Sequence, residues 1–96
     1  MIQSFANATT EDLFHGKNTK AARAIDQTVW KVAARKLDLL NAATTLGDLA
    51  VPPGNQLEAL RGDQKGRHSI RVNHQYRLTF QFKNGHVYEV RCEDYH

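Results

Sequence analysis

Apolar residues recur at three- and four-residue intervals in the first half of the chain and at alternate positions in the second half. In the first half, Ile25, Val29, Val32, Ala33, Leu37 and Leu40 make one stripe at a period near 3.6, which predicts a helix over residues 20–43. A shorter helix is expected before it. Thr9 or Thr10 offers an N-cap, and Glu11 and Asp12 place negative charge in the first turn, where the helix dipole favours it. Gly16 and Asn18 end that helix, and Ile2 and Phe5 suit a short extended opening. Residues 46–56 contain Gly47, Asp48, Pro52, Pro53, Gly54 and Asn55, which interrupt helices and central strands, so a structured loop is expected there.

Beyond the loop the period becomes two. Residues 57–60 suit a short strand, and residues 67–73 set Ile70 and Val72 on one face with Ser69 and Arg71 on the other. Tyr76, Leu78, Phe80 and Phe82 alternate with Arg77, Thr79 and Gln81. Lys83-Asn84-Gly85-His86 reads as a hairpin turn, because Asn and Gly both tolerate positive φ. A last strand over residues 86–93 would set Tyr88, Val90 and Cys92 toward the core. The expected fold class is α+β, with two N-terminal helices packed on the apolar face of an antiparallel β-sheet. The polar face, with Arg71, Arg77, Thr79, Gln81 and Arg91, is expected to stay open.

The bulk numbers narrow this picture. The 96 residues fit one domain, residues 1–96. A hydrophobic share of 41% and a charged share of 24% are ordinary globular values. No stretch approaches the ~20 apolar residues needed to cross a bilayer. The opening Met1-Ile2-Gln3-Ser4-Phe5 lacks the basic-then-apolar order of a secretion signal. The single cysteine, Cys92, excludes an intrachain disulfide and suits the cytoplasm. A net charge of +3 leans toward polyanionic partners.

Residues 61–77 sharpen that lean. Arg61, Lys65, Arg67, Arg71 and Arg77 stand there against one acid, Asp63, with His68, His74 and Tyr76 between them. Cations attract phosphates by displacing counterions, and rings stack on unpaired bases. Arg77 sits mid-strand, where a planar guanidinium suits a two-point grip on phosphate. The structural alternative for it is a cross-strand ion pair with Glu89 or Glu93. Asp94, Tyr95 and His96 then offer a carboxylate, a phenol and an imidazole, the groups used for proton transfer. An ordinary tail is the alternative there. The histidines are scattered, and none pairs with Cys92 at ligand spacing, so neither a metal site nor a cofactor is expected.

Several segments together resemble a known family. They are Gly54-Asn55-Gln56-Leu57-Glu58-Ala59-Leu60-Arg61-Gly62-Asp63, His68-Ser69-Ile70-Arg71-Val72-Asn73, Tyr76-Arg77-Leu78-Thr79-Phe80 and Glu93-Asp94-Tyr95-His96. In this order they resemble the HigB-type toxins of the RelE superfamily, over essentially the whole chain. The resemblance implies helices on a curved antiparallel sheet and a toxin that cuts mRNA in the ribosomal A site, without a metal. It implies a HigA-type helix-turn-helix antitoxin as partner, and operator DNA contacted only through that antitoxin. It assigns proton transfer to Asp94 and His96, substrate orientation to Tyr95, and phosphate neutralisation to Arg77 and Arg61. Lys65, Arg67, Arg71, Gln75 and Glu58 complete the implied RNA-binding surface. The chain departs from the pattern at Glu58, where some members carry histidine, and at Gln75, where some carry asparagine. Glu58 can still act as a base, but a second carboxylate repels phosphate, so slower cutting is expected. The rival functions are a ParE-type gyrase inhibitor with the same fold, and a non-catalytic RNA- or ribosome-binding module.

Overall fold

The structure is a computed structural model that describes residues 1–94. The proposed site residues Tyr95 and His96 lie outside the described residues.

The first helix, α1 (Ala8–Phe14), is capped by Asn7 rather than by Thr9 or Thr10. The Asn7 side-chain oxygen accepts the Thr10 amide at 2.9 Å and the Thr10 hydroxyl at 2.7 Å. A short amide side chain at that position satisfies a backbone donor that the helix leaves unpaired. Thr10 is therefore free for another task. It is fully buried, and its hydroxyl oxygen accepts the amide of Cys92 at 2.9 Å.

The helix expected over residues 20–43 is divided. Residues Ala22–Ala24 and Gln27–Val29 form 3-10 turns, and the regular helix, α2, runs over Trp30–Ala42. Between the two turns Ile25 is extended, and Asp26 accepts the Thr28 amide at 3.0 Å. A short polar side chain that bonds its own neighbouring backbone competes with helix, which is why the pattern breaks here. The Trp30 indole N–H donates to the Ile25 carbonyl at 2.8 Å across the break. The apolar stripe survives nonetheless: Ile25, Val29, Ala33, Leu37 and Leu40 are all buried. The expected loop contains two 3-10 turns, Leu46–Ala50 and Pro53–Asn55, the first held by a Thr45–Asp48 capping box.

The sheet contains β1 (Glu58–Ala59), β2 (His68–Arg71), β3 (Tyr76–Lys83) and β4 (His86–Asp94), in that spatial order and all antiparallel. Asn84 at φ 51° and Gly85 at φ 80° turn β3 into β4, as the Asn-Gly pair predicts. The opening segment adds a parallel edge that the alternation did not predict, with Ile2 bridging Val87 and Phe5 bridging Val90. Thus β4 is an interior strand. The helices and the apolar face of the sheet share one core, centred on Leu37, Leu40, Ile70, Leu78, Phe80 and Val90.

A β-bulge corrects one face assignment. The register passes from Thr79 opposite Arg91 to Gln81 opposite Tyr88, so Glu89 and Val90 together oppose Phe80. The extra residue reverses the alternation. Val87 is fully buried in the position expected for Tyr88, which is only half-buried, while Val90 and Cys92 keep theirs. Glu89, at φ 51°, gives its amide to the Ser4 hydroxyl at 2.9 Å.

Replacing Thr10 by valine keeps the shape but leaves the Cys92 amide buried without its acceptor. The expected loss is about 1–3 kcal/mol in unfolding free energy, measured by urea denaturation. Unchanged stability would show that the helix-to-strand bond contributes nothing.

Candidate functional site

Cross-strand register places Glu58, Ser69, Thr79 and Arg91 in one row on the polar face of the sheet. Arg71, Arg77 and Glu93 form the adjacent row. This face is not open as expected. Arg77 and Thr79 are each only 4% exposed and Ser69 is fully buried, whereas Gln81 and Arg91 remain exposed. The physical reason is that the chain before β1 and the long side chains of neighbouring strands lie over the face. Arg77 donates through Nε to the Ser69 hydroxyl at 2.9 Å and through Nη2 to the Gln56 carbonyl at 2.6 Å. A guanidinium withdrawn from water needs such acceptors, since an unpaired buried charge is very costly. The carboxylate of Glu93, its register partner, accepts the Thr79 hydroxyl at 2.8 Å and lies 3.5 Å from the Arg91 guanidinium.

Beside this row is a cleft of about 320 Å³. Thr79, Arg67, Glu89, Arg91 and Glu93 line it together with Ala6 and Gln64. Arg67 reaches across, donating to the Glu89 carbonyl at 2.8 Å and approaching the Thr79 hydroxyl at 3.4 Å. The bulge is what places that carbonyl there. Two guanidiniums and two carboxylates give the cleft both donors and acceptors, which suits a ligand with mixed hydrogen-bonding edges.

The remaining sequence-derived residues fall into two groups. Arg61 and Lys65 are exposed on either side of the 3-10 turn Gly62–Gln64, Glu58 is exposed on β1, and Arg71 is half-buried. Register puts Glu58 and Arg71 on the side of the sheet that carries Arg77. Asp94 is on the other side. It pairs with Tyr76, so alternation sets it on the face opposite Arg77 and Glu93. There its carboxylate accepts the Gln75 side-chain amide at 3.1 Å. Ser69 and Gln56 escaped the sequence reading as site residues. Ser69 had a signal, being on the polar face of a strand next to Arg77. Gln56 had none, because its contribution is a backbone carbonyl.

Among the described residues, no three His, Cys, Asp or Glu side chains group closely enough to hold a metal ion. Nor is any described helix long and apolar enough to cross a membrane. Burial pushes the Cys92 thiol up to about 12, with the Glu93 charge adding to the effect.

A family model described as "RelE-like toxin of type II toxin-antitoxin system HigB" matches residues 3–96. The chain belongs to this family. Toxin HigB-1 of Vibrio cholerae is 46% identical over 69 residues, which is 72% of this chain and 73% of that protein. Endoribonuclease HigB of Proteus vulgaris is 38% identical over 96 residues, the full length of both. Among solved structures, a variant of YafQ from E. coli superposes with a TM-score of 0.64 at 17% identity, covering 99% of this chain and 92% of that one. A YoeB-YefM complex from Staphylococcus aureus gives a TM-score of 0.61 at 16% identity, covering 100% and 98%. These likenesses speak for the fold, and they bear out the RelE-like α+β expectation. As a toxin of a type II toxin-antitoxin system, this HigB-like protein has an antitoxin as its partner.

The state of Cys92 has a measurable consequence. With its thiolate suppressed and its sulfur buried, it should react with an aromatic disulfide reagent at pH 8 only as the protein unfolds. A fast stoichiometric reaction of the folded toxin would contradict the burial.

Proposed function

We propose that this HigB-like toxin is a ribosome-dependent endoribonuclease that stops translation by cutting mRNA in the ribosomal A site. The observation that carries this reading is the full-length likeness to a relative named as an endoribonuclease. The geometry supports it with Arg77, a cation on the polar face that is hydrogen-bonded to Ser69 and to the Gln56 carbonyl.

The cutting needs no metal. The mRNA 2′-hydroxyl attacks the adjacent phosphorus and the bond to the 5′-oxygen breaks, leaving a 2′,3′-cyclic phosphate and a 5′-hydroxyl. A base removes the 2′-hydroxyl proton, an acid protonates the leaving oxygen, and a cation offsets the charge that builds on phosphorus. Arg77, helped by Arg61, supplies the cation. His96 and Asp94 share the proton transfers. Asp94 stands on the opposite face from Arg77, where its carboxylate accepts the Gln75 side-chain amide. Tyr95 orients the substrate, while Lys65, Arg67 and Arg71 hold neighbouring phosphates by charge.

One domain, residues 1–96, carries the activity and works in the cytoplasm. A HigA-type antitoxin with a helix-turn-helix domain neutralises it, and the toxin reaches operator DNA only through that antitoxin.

Primer extension on mRNA from cells expressing the toxin should reveal in-frame cuts that require translation. His96→Ala or Arg77→Ala should reduce them by about a hundredfold or more. Growth arrest without such cuts, or cutting unchanged in both variants, would overturn the reading. Glu58→His should speed cutting on programmed ribosomes by removing a carboxylate that repels phosphate; a rate equal to the parent's would make position 58 neutral.

A further inference from the structure

The segment Gly54-Asn55-Gln56 lies outside the catalytic set, yet its Gln56 carbonyl accepts from Arg77. Asn55 is fully buried. Its side-chain amide donates to the carbonyls of Leu49 at 3.1 Å and Val51 at 3.2 Å, and its oxygen accepts from the Lys36 ammonium. Lys36 belongs to α2 and Leu49 to the buried core, so Asn55 ties the turn to the helix layer. The next residue, Gln56, is in the left-handed region at φ 48°, ψ 54°. That conformation reverses the chain and sets the Gln56 carbonyl 2.6 Å from Arg77 Nη2. On the other side, Ser69 takes Nε at 2.9 Å. Its hydroxyl is fully buried on β2, one row from Arg77. The two acceptors meet the guanidinium at separate nitrogens, which fixes both its position and its plane.

We propose that the Asn55-Gln56 turn and Ser69 together form a positioning clamp for Arg77, with Gln56 acting through its backbone carbonyl. The inference rests on the reading of Arg77 as the phosphate-neutralising cation. Side chains beyond the reacting atoms matter in this way when a displaced charged group loses its alignment with the transition state. The clamp also gives the Gly54-Asn55-Gln56 segment a task that its side chains alone do not suggest. A buried wedge holds a strained backbone, and the strained backbone holds a cation.

The test is single-turnover cleavage of mRNA on programmed ribosomes by the intact toxin, with rate and half-saturating toxin concentration measured separately. Ser69→Ala removes one acceptor. Gln56→Val places a β-branched residue where it resists the left-handed conformation and so moves the carbonyl. Each should lower the maximal rate about tenfold or more while leaving the half-saturating concentration unchanged. Ser69→Thr, which keeps the hydroxyl, and Gln56→Gly, which keeps the carbonyl and the conformation, should restore the rate. In an Arg77→Ala background, Ser69→Ala should cost nothing further. Thermal melts of each variant report folding, and rates are compared per folded molecule. A slow Arg77→Ala beside Ser69→Ala and Gln56→Val at the parental rate would overturn the clamp. Equal losses in Gln56→Gly and Gln56→Val would overturn the carbonyl's role. If Arg77→Ala itself cuts at the parental rate, the reading of the site fails, and the clamp with it.

Discussion

Strand β4 is hydrogen-bonded along both of its edges, and the other parts of the molecule take their places from it. On one side it pairs with β3. On the other it meets the opening segment: the Gln3 and Ala6 amides donate to the Val87 and Val90 carbonyls at 2.7 and 2.9 Å. Where that segment turns away into α1, the Thr10 hydroxyl takes the next available donor, Cys92. A strand edge left open is a template for unwanted pairing, and here a peptide segment and then one hydroxyl close it. Because the strand is interior, its side chains must suit a core on one face and a site on the other. The bulge at Glu89 is how both demands are met. It keeps Val87, Val90 and Cys92 on the core side and turns the Glu89 carbonyl to Arg67.

The polar face follows from the energetics of burying charge. A guanidinium on a sheet can face water or find acceptors, and Arg77 has found them in Ser69 and Gln56. Arg67 does the same with Glu89 and Thr79. Side-chain entropy is lost in holding long cations this way, but that loss is incurred on folding rather than on binding. These two guanidiniums are therefore already ordered in the folded chain. The exposed cations Arg61 and Lys65 remain in water, where they contribute attraction more than geometry.

Much of this was legible in the residues. The change of period from 3.6 to two separated helix from sheet, and Asn84-Gly85 marked the hairpin because its conformational demand is local. The failures have two causes: a local hydrogen bond that competes with the periodic pattern, and a partner distant in the chain. Residues 20–43 carried a continuous stripe, yet Asp26 preferred its own backbone and divided the helix. Tyr88 alternated correctly until a bulge stabilised by Ser4 shifted the register. Within the site, Arg77 was legible as a strand cation of unusual placement, but its burial was not, since one of its acceptors is a carbonyl that carries no side-chain signature. The facing of Asp94 away from Arg77 was legible, since alternation from Cys92 on the core side puts Asp94 on that side too.

The bond between Ser4 and Glu89 joins residues 85 positions apart. The sheet is otherwise paired between chain neighbours, so this bond and the bridges beside it join the two ends of the described chain, where the loop entropy to be overcome is largest. The interior strand is also the element that follows all its partners in the chain. Inserted between its two neighbours, β4 supplies Val87, Val90 and Cys92 to the core and Glu89, Arg91 and Glu93 to the cleft. The core and the cleft are thus completed by one and the same strand.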